Sequence, residues 1–285
     1  MRFGISSPIV VRTPGGHSAW ERDAGIAELA DIAVAADELG YHHMTCSEHV
    51  ALPAAVEAIR GVTYWDPLAT FGYLAARTRR IRFATHVLVL GYHHPLEIAK
   101  RYGTLDVVSG GRLILGLGVG SLEEEFGLLG APFGDRGARA DEALAALRVS
   151  LSRREPAFSG TYYRYDGMVV DPCAVQDRLP FWIGGRTARS LRRAISLAEG
   201  WAPFGLSLTD VSALVARHEI PAGFDLVLSA DRPLDPLGDP SATIEDLAAL
   251  SAAGATVVNV VVVHESLRQY LDQLEALSRL VPGLA

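Results

Sequence analysis

The chain has 285 residues, 49% hydrophobic and 21% charged, with Asp+Glu 33 against Lys+Arg 26 and a formal net charge of −7. That composition supports a large buried core and excludes global disorder, and an acidic balance without a basic tract gives no electrostatic reason to expect nucleic acid or an anionic membrane as partner. Two cysteines, Cys46 and Cys173, are too few for a disulfide scaffold or a zinc cluster, and apolar runs such as Val260 to Val263 are far too short to span a bilayer. The opening Met1-Arg2-Phe3-Gly4-Ile5, followed by Pro8 and Pro14, does not read as a secretory leader, so a cytoplasmic location is expected.

In chain order, short β-rich runs alternate with helical patterns. Strands are expected at residues 2–7, 43–47, 81–90, 113–117, 181–184, 200–204, 225–229 and 257–263. Several are continuous apolar runs, as in a parallel sheet covered on both faces. The first helix carries Ile26, Leu29, Ala33 and Ala36 on one stripe and stops at Gly40. Asp66-Pro67 opens the next as N-cap and first helical residue, and His94-Pro95 opens a third, with Ile98, Tyr102 and Leu105 on one face and Gly110-Gly111 at its end. Later helices are expected at 187–199, 244–253 and 267–280.

This alternation predicts an α/β fold, a (β/α)₈ TIM barrel formed by residues 1–285 as a single domain, with a doubly wound open sheet as the competing topology. Residues 122–180, between strand 4 and strand 5, are too long for a simple crossover. They hold a helix at 136–152 and an expected hairpin in which Tyr162 to Tyr165 and Met168 to Val170 flank the turn signal Asp166-Gly167. In a barrel such an insertion lies on the loop face that carries the active site. Residues 201–224 leave room for a short helix only.

Strand 2 ends in Ser47-Glu48-His49. An imidazole beside a carboxylate suits proton transfer, with Glu48 polarising His49; the plain alternative is a hydrogen-bonded rim residue. Strand 3 offers His86 and Val87, facing either ligand or a packed layer, whereas His93-His94 reads as a helix entry. Gly118, Gly120 and Ser121 follow strand 4 and permit close approach of a ligand, with Glu123-Glu124-Glu125 just beyond to repel a phosphate. Gly184, Gly185, Arg186 and Thr187 follow strand 5, where exposed amides at a helix start, a guanidinium and a hydroxyl make an anion site. Neither H-E-x-x-H nor G-x-S-x-G occurs, which disfavours a metallohydrolase and a serine hydrolase. Cys46 reads as buried packing.

Glu38-Leu39-Gly40-Tyr41 with Ser47-Glu48-His49, Ile81 to Val87, His94-Pro95, Ser109-Gly110-Gly111-Arg112-Leu113 running to Gly120, Glu125-Phe126, Arg136 to Arg139 and Pro180 to Gly185 together resemble the bacterial luciferase-like superfamily, nearest to its F420-dependent oxidoreductases. The resemblance implies a (β/α)₈ barrel holding coenzyme F420 or FMN at its carboxyl face, a non-prolyl cis peptide near His86-Val87 under the ring, and His49 as the proton-exchanging residue. It implies ring contacts from Gly118, Gly120 and Ser121 and a phosphate site at Gly184, Gly185, Arg186 and Thr187. Some FMN-using members carry Arg where Val119 stands, which favours F420. A homodimer and a separate flavin or F420 reductase are implied partners. The expected activity is hydride transfer between F420 and a small organic substrate; the competing readings are an FMN-dependent monooxygenase using O₂ and a non-catalytic flavin-binding barrel.

Overall fold

In the strands expected from the sequence, successive side chains face alternately into helices and into the centre of a ring. The structure, a computed structural model, describes residues 1–281. Eight parallel strands close on themselves: β1 (Arg2–Ile5), β2 (His43–Cys46), β3 (Arg82–Thr85), β4 (Leu113–Gly118), β5 (Phe181–Gly184), β6 (Gly200–Ala202), β7 (Asp225–Leu228) and β8 (Val257–Val260). Phe181 pairs with Leu115 and Ile183 with Leu117 between β4 and β5, while Arg2 pairs with Val257 and Ile5 with Val260 between β1 and β8. Closure excludes the open-sheet alternative.

The main helices are α1 (Ile26–Glu38), α2 (Pro67–Arg77), α3 (Pro95–Ser109), α4 (Arg136–Ser150), α5 (Ala188–Leu197), α6 (Leu208–Val215), α7 (Pro240–Ala252) and α8 (Leu267–Leu280). The expected punctuation forms: the Asp66 carboxylate accepts the Ala69 N–H at 2.8 Å, and α3 is capped by His94 and ends at Gly110 with φ 69°. α7 starts four residues before the expected 244, because Asp239 caps it at Ala242 N–H (2.9 Å) with Pro240 in the first turn. Outward strand residues such as Phe83, Leu115, Ile183 and Trp201 pack with Leu29, Ile98, Leu144 and Leu191 from the helices. Ala84, Ile114, Trp182, Ala202, Val227 and Val257 make a second cluster inside the ring.

The insertion differs from the sequence expectation. Phe158–Ser159 pairs antiparallel with Arg164–Tyr165, so the hairpin turns before Tyr163 and not at Asp166-Gly167. The Glu142 carboxylate accepts the N–H groups of Thr161, Tyr162 and Tyr163 at 2.7–2.8 Å, which closes that earlier turn. Asp166-Gly167 is still a turn, with Gly167 at φ 65°, but Met168 and Val169 beyond it are exposed and belong to no strand.

At the amino-terminal end of the ring, Arg2 Nη1 lies 3.4 Å from His42 Nε2, His42 Nδ1 3.1 Å from His43 Nδ1, and His43 Nε2 2.7 Å from Asn259 Oδ1. The amide oxygen only accepts, so His43 carries its proton on Nε2, His42 donates from Nδ1, and Arg2 donates to His42. Both imidazoles are therefore neutral. Burial, with Arg2 and Arg82 nearby, pushes the His42 pKa down to about 3, and burial likewise holds His43 well below the usual imidazole range. A folded-state pKa below the unfolded one gives stability that is present above about pH 6.5 and is lost as the pH falls towards the folded value. The expected loss is about 1–2 kcal/mol per imidazole between about pH 7.5 and pH 5. Urea unfolding of the chain and of His42→Gln at both pH values checks this: the variant should lose less stability on acidification.

Candidate active site

Four strand ends and two long connections converge at the carboxyl face. Beyond the end of β2 at Cys46, consecutive side chains take separate partners. The Ser47 hydroxyl donates to the His86 carbonyl at 2.6 Å. Glu48 turns away from His49: its carboxylate accepts the Val89 N–H at 2.7 Å and lies 2.6 Å from His93 Nε2. The expectation that Glu48 polarises His49 is therefore corrected. Both Glu48 oxygens are taken up by the Val89 N–H and His93, and the residue ties β2 to the segment after β3. Burial works against charge on His93, but the Glu48 hydrogen bond and the nearby carboxylates of Glu48 and Glu97 outweigh it and raise its pKa. His94 caps α3, so His93-His94 is a helix entry as expected.

The partner of His49 is Glu125, whose Oε2 lies 2.7 Å from His49 Nδ1. Glu125 sits on the short helix Glu123–Leu128 in the connection after β4, with its side chain 0% exposed. Oε2 also accepts the Tyr92 hydroxyl at 2.7 Å, and Oε1 accepts the N–H groups of Val50 and Ala51. Burial alone would raise the Glu125 pKa; the bonds from Tyr92, His49 and Val50 prevail and hold it below the ordinary carboxylate value. An ionised carboxylate can only accept, so His49 donates from Nδ1, and in the neutral imidazole Nε2 then carries the lone pair. Nε2 has no hydrogen-bond partner among the described residues, and the ring lines the cavity described below. Tyr64 packs edge-on against this ring, with centroids 4.5 Å apart.

The floor comes from the end of β3. The His86–Val87 peptide is cis. His86 N–H donates to the Cys46 carbonyl at 2.8 Å, and Glu48 N–H to the Val87 carbonyl at 3.3 Å. Val87 lies over two strand glycines: a Cβ on Gly118 would come within 2.5 Å of Val87 Cγ2, and one on Gly184 within 2.7 Å of Val87 Cγ1. The close approach that these glycines permit is thus to Val87. The His86 imidazole has no partner among the described residues, and burial lowers its pKa, which keeps it neutral.

At the opposite wall, Thr187 caps α5: its hydroxyl accepts the Ser190 N–H at 3.3 Å, while Ser190 Oγ donates to the Thr187 carbonyl at 2.7 Å. Gly185 has φ +136°, and a Cβ there would lie 2.6 Å from Ser190 Cβ and 2.9 Å from Ser190 Oγ, so no larger residue fits. Arg193 is buried and paired with Asp141, and its Nη2 donates to the Gly137 carbonyl at 3.1 Å. Arg136 donates to the Gly120 carbonyl at 3.2 Å and stacks 3.7 Å over Phe133. Arg186 is exposed and has no hydrogen-bond or ion-pair partner among the described residues.

Glu48, His49, His86, Val87, Gly118, Gly120, Ser121, Gly184, Gly185, Arg186 and Thr187 all line one cavity of about 630 Å³. Arg60, Tyr64, Tyr92, Arg136 and Phe204 join them. His86 leaves this space open. Sequence reasoning missed Glu125 as the partner of His49. The only available signal was a glutamate three residues into a helix after the glycine loop, and it reads equally as a favourable helix start. Arg60 carried no signal.

The sequence model describing luciferase-like monooxygenases matches residues 1–220. The chain belongs to that family. Family relatives include an uncharacterised protein of Mycobacterium tuberculosis, 30% identical over 65% of this chain and 68% of its own. An F420-dependent glucose-6-phosphate dehydrogenase of Nakamurella multipartita is 32% identical over 78% of this chain and 64% of its own. Among solved structures, the coenzyme F420-dependent tetrahydromethanopterin reductase of Methanopyrus kandleri superposes with TM-score 0.75 at 16% identity, covering 98% of both chains. The oxygenating constituent of 3,6-diketocamphane monooxygenase from Pseudomonas putida, in complex with FMN, gives TM-score 0.71 at 17% identity over 99% and 98%. At those identities the two structures attest the luciferase-like barrel fold alone.

Proposed function

We propose that this family member is an F420-dependent oxidoreductase that moves a hydride between the deazaflavin and a small organic substrate, with His49 exchanging the substrate proton. One observation carries the reading: a single cavity joins an imidazole held by a buried carboxylate to a helix start with an unpartnered arginine. The residues fit such a group. The volume lies within the usual range for cofactor pockets, and Arg186 with the α5 amino terminus suits a phosphodiester.

Val87 and His86 would support the ring from below, Gly118, Gly120 and Ser121 would flank it, and Gly184, Gly185, Arg186 and Thr187 would hold the phosphate. When bound, the deazaflavin supplies or accepts the hydride. His49 acts through Nε2, which accepts a proton as Nδ1–H remains fixed on Glu125, and returns it in the reverse direction. Tyr64, edge-on against the imidazole, and Tyr92, bonded to Glu125, wall the cavity beside that ring. Orientation of this kind is worth up to about 7–11 kcal/mol of a barrier.

F420 is preferred because Val119 replaces the arginine of some FMN users and because the dehydrogenase relative uses F420. The FMN-dependent monooxygenase reading draws on the family description and on the FMN-bound neighbour. It would require a separate reductase. Titrating the purified protein with F420 and with FMN, each oxidised and reduced, separates the two. F420 should bind at least about tenfold more tightly, about 1.4 kcal/mol in binding free energy. Binding of FMN alone, with oxygen uptake after reduction, would overturn the F420 reading.

A further inference from the structure

The connection after β2 carries a charge turned the wrong way for a surface helix. Residues Glu57–Arg60 form one helical turn in which Glu57, Ala58 and Ile59 are exposed, Ile59 at 81%, while Arg60 is the half-buried residue. A surface turn that presents isoleucine to water and tucks a guanidinium inward inverts the ordinary pattern. The inward direction leads into the cavity, which Arg60 lines together with Val11, Tyr64 and Tyr92.

The placement is fixed by the backbone. Gly61, next in sequence, has φ +70°, and a Cβ there would lie 1.9 Å from the Arg12 carbonyl oxygen. The following Thr63–Tyr64 pairs antiparallel with Val11–Arg12. Arg60 is therefore anchored to the same ribbon that sets Tyr64 against His49. Yet Arg60 makes no hydrogen bond or ion pair with any described residue. Its charge acts on both neighbouring phenols: burial raises the pKa of Tyr64 and of Tyr92, and Arg60 opposes that rise in each. A guanidinium drawn from water towards an apolar wall without a partner is costly unless a ligand supplies the anion.

We infer that Arg60 anchors a carboxylate on the substrate, so that the enzyme acts on small monocarboxylates with an apolar body in preference to uncharged molecules. The inference rests on the oxidoreductase reading above. Two unpartnered arginines then divide the cavity, Arg186 at the α5 end for the cofactor phosphate and Arg60 at the His49 end for the substrate. A single planar fork matches one carboxylate, and the buried negative charge of Glu125 behind His49 opposes a dianion. Val11, Tyr64 and Tyr92 supply the apolar and aromatic contacts for the rest of the molecule.

The test loads the protein with F420, or with FMN if that is the cofactor that binds, and titrates matched probes: acetate, butyrate, benzoate and phenylacetate against their amides, with phenyl phosphate as the dianion. At least one carboxylate should bind about 10- to 100-fold more tightly than its amide, and Arg60→Gln should remove that preference while changing cofactor affinity by less than about threefold. Arg60→Lys should retain part of it. The inference is overturned if no carboxylate outbinds its amide, if the preference survives in Arg60→Gln, or if phenyl phosphate binds best. Failure to bind either cofactor would instead overturn the oxidoreductase reading.

Discussion

Replacing His49 by Ala lowers the single-turnover rate of hydride transfer by about 10²–10⁴-fold, the usual contribution of a positioned general acid or base. The affinity for F420 should change by less than about threefold, because the ring and phosphate contacts argued above lie on other strands. Stability should fall by about 1–3 kcal/mol, since the change leaves one lone pair of the buried Glu125 carboxylate short of a donor. Rapid-mixing absorbance, cofactor titration and urea unfolding read these three quantities separately. An unchanged transfer rate would remove His49 from the chemistry.

Glu125 is the second position with a large expected effect, and two substitutions there separate chemistry from folding. In Glu125→Gln the amide oxygen can keep the Val50 and Ala51 N–H groups, so the loop stays attached. The amide NH₂ then faces His49 Nδ1, which must accept. The imidazole proton moves to Nε2, and the nitrogen facing the cavity becomes a donor where the reaction needs a lone pair. A fall of about 10²–10⁴-fold in transfer rate is expected from the wrong tautomer, with a stability loss within about 1–2 kcal/mol. Glu125→Ala leaves His49, Tyr92 and the Val50 and Ala51 amides without their acceptor and should cost about 3–5 kcal/mol. Thermal unfolding beside single-turnover kinetics distinguishes the two variants.

The barrel was legible because its strands are buried on both faces and its helices carry caps. Asp66-Pro67, His94-Pro95 and Thr187 mark helix starts by local hydrogen bonding, which acts over three residues and needs no tertiary information. The glycine-rich ends of β4 and β5 were legible as cavity residues, but the reason for two of the glycines was not. Gly118 and Gly184 make room for Val87, and only closure of the ring brings that side chain over both. The two errors share one cause. Glu48 adjoins His49 in sequence and diverges from it in space, while Glu125 lies 76 residues away and meets it. Likewise the turn at Asp166-Gly167 is locally sound, but three amides bound to the distant Glu142 determine which strands pair. Contacts that depend on barrel curvature or on one carboxylate reaching across a long connection leave no periodicity to read. Arg60 belongs with these, since its inward turn is set by Gly61 packing on Arg12.

The most direct test of the account is the double-mutant cycle between His49 and Glu125, read in single-turnover hydride transfer with the cofactor bound. If the carboxylate acts by holding the imidazole proton on Nδ1, the combined His49→Ala, Glu125→Gln protein should be no slower than His49→Ala alone, to within about threefold. Losses that multiply, each substitution exacting its full penalty in the presence of the other, would contradict the pair as one proton-handling unit.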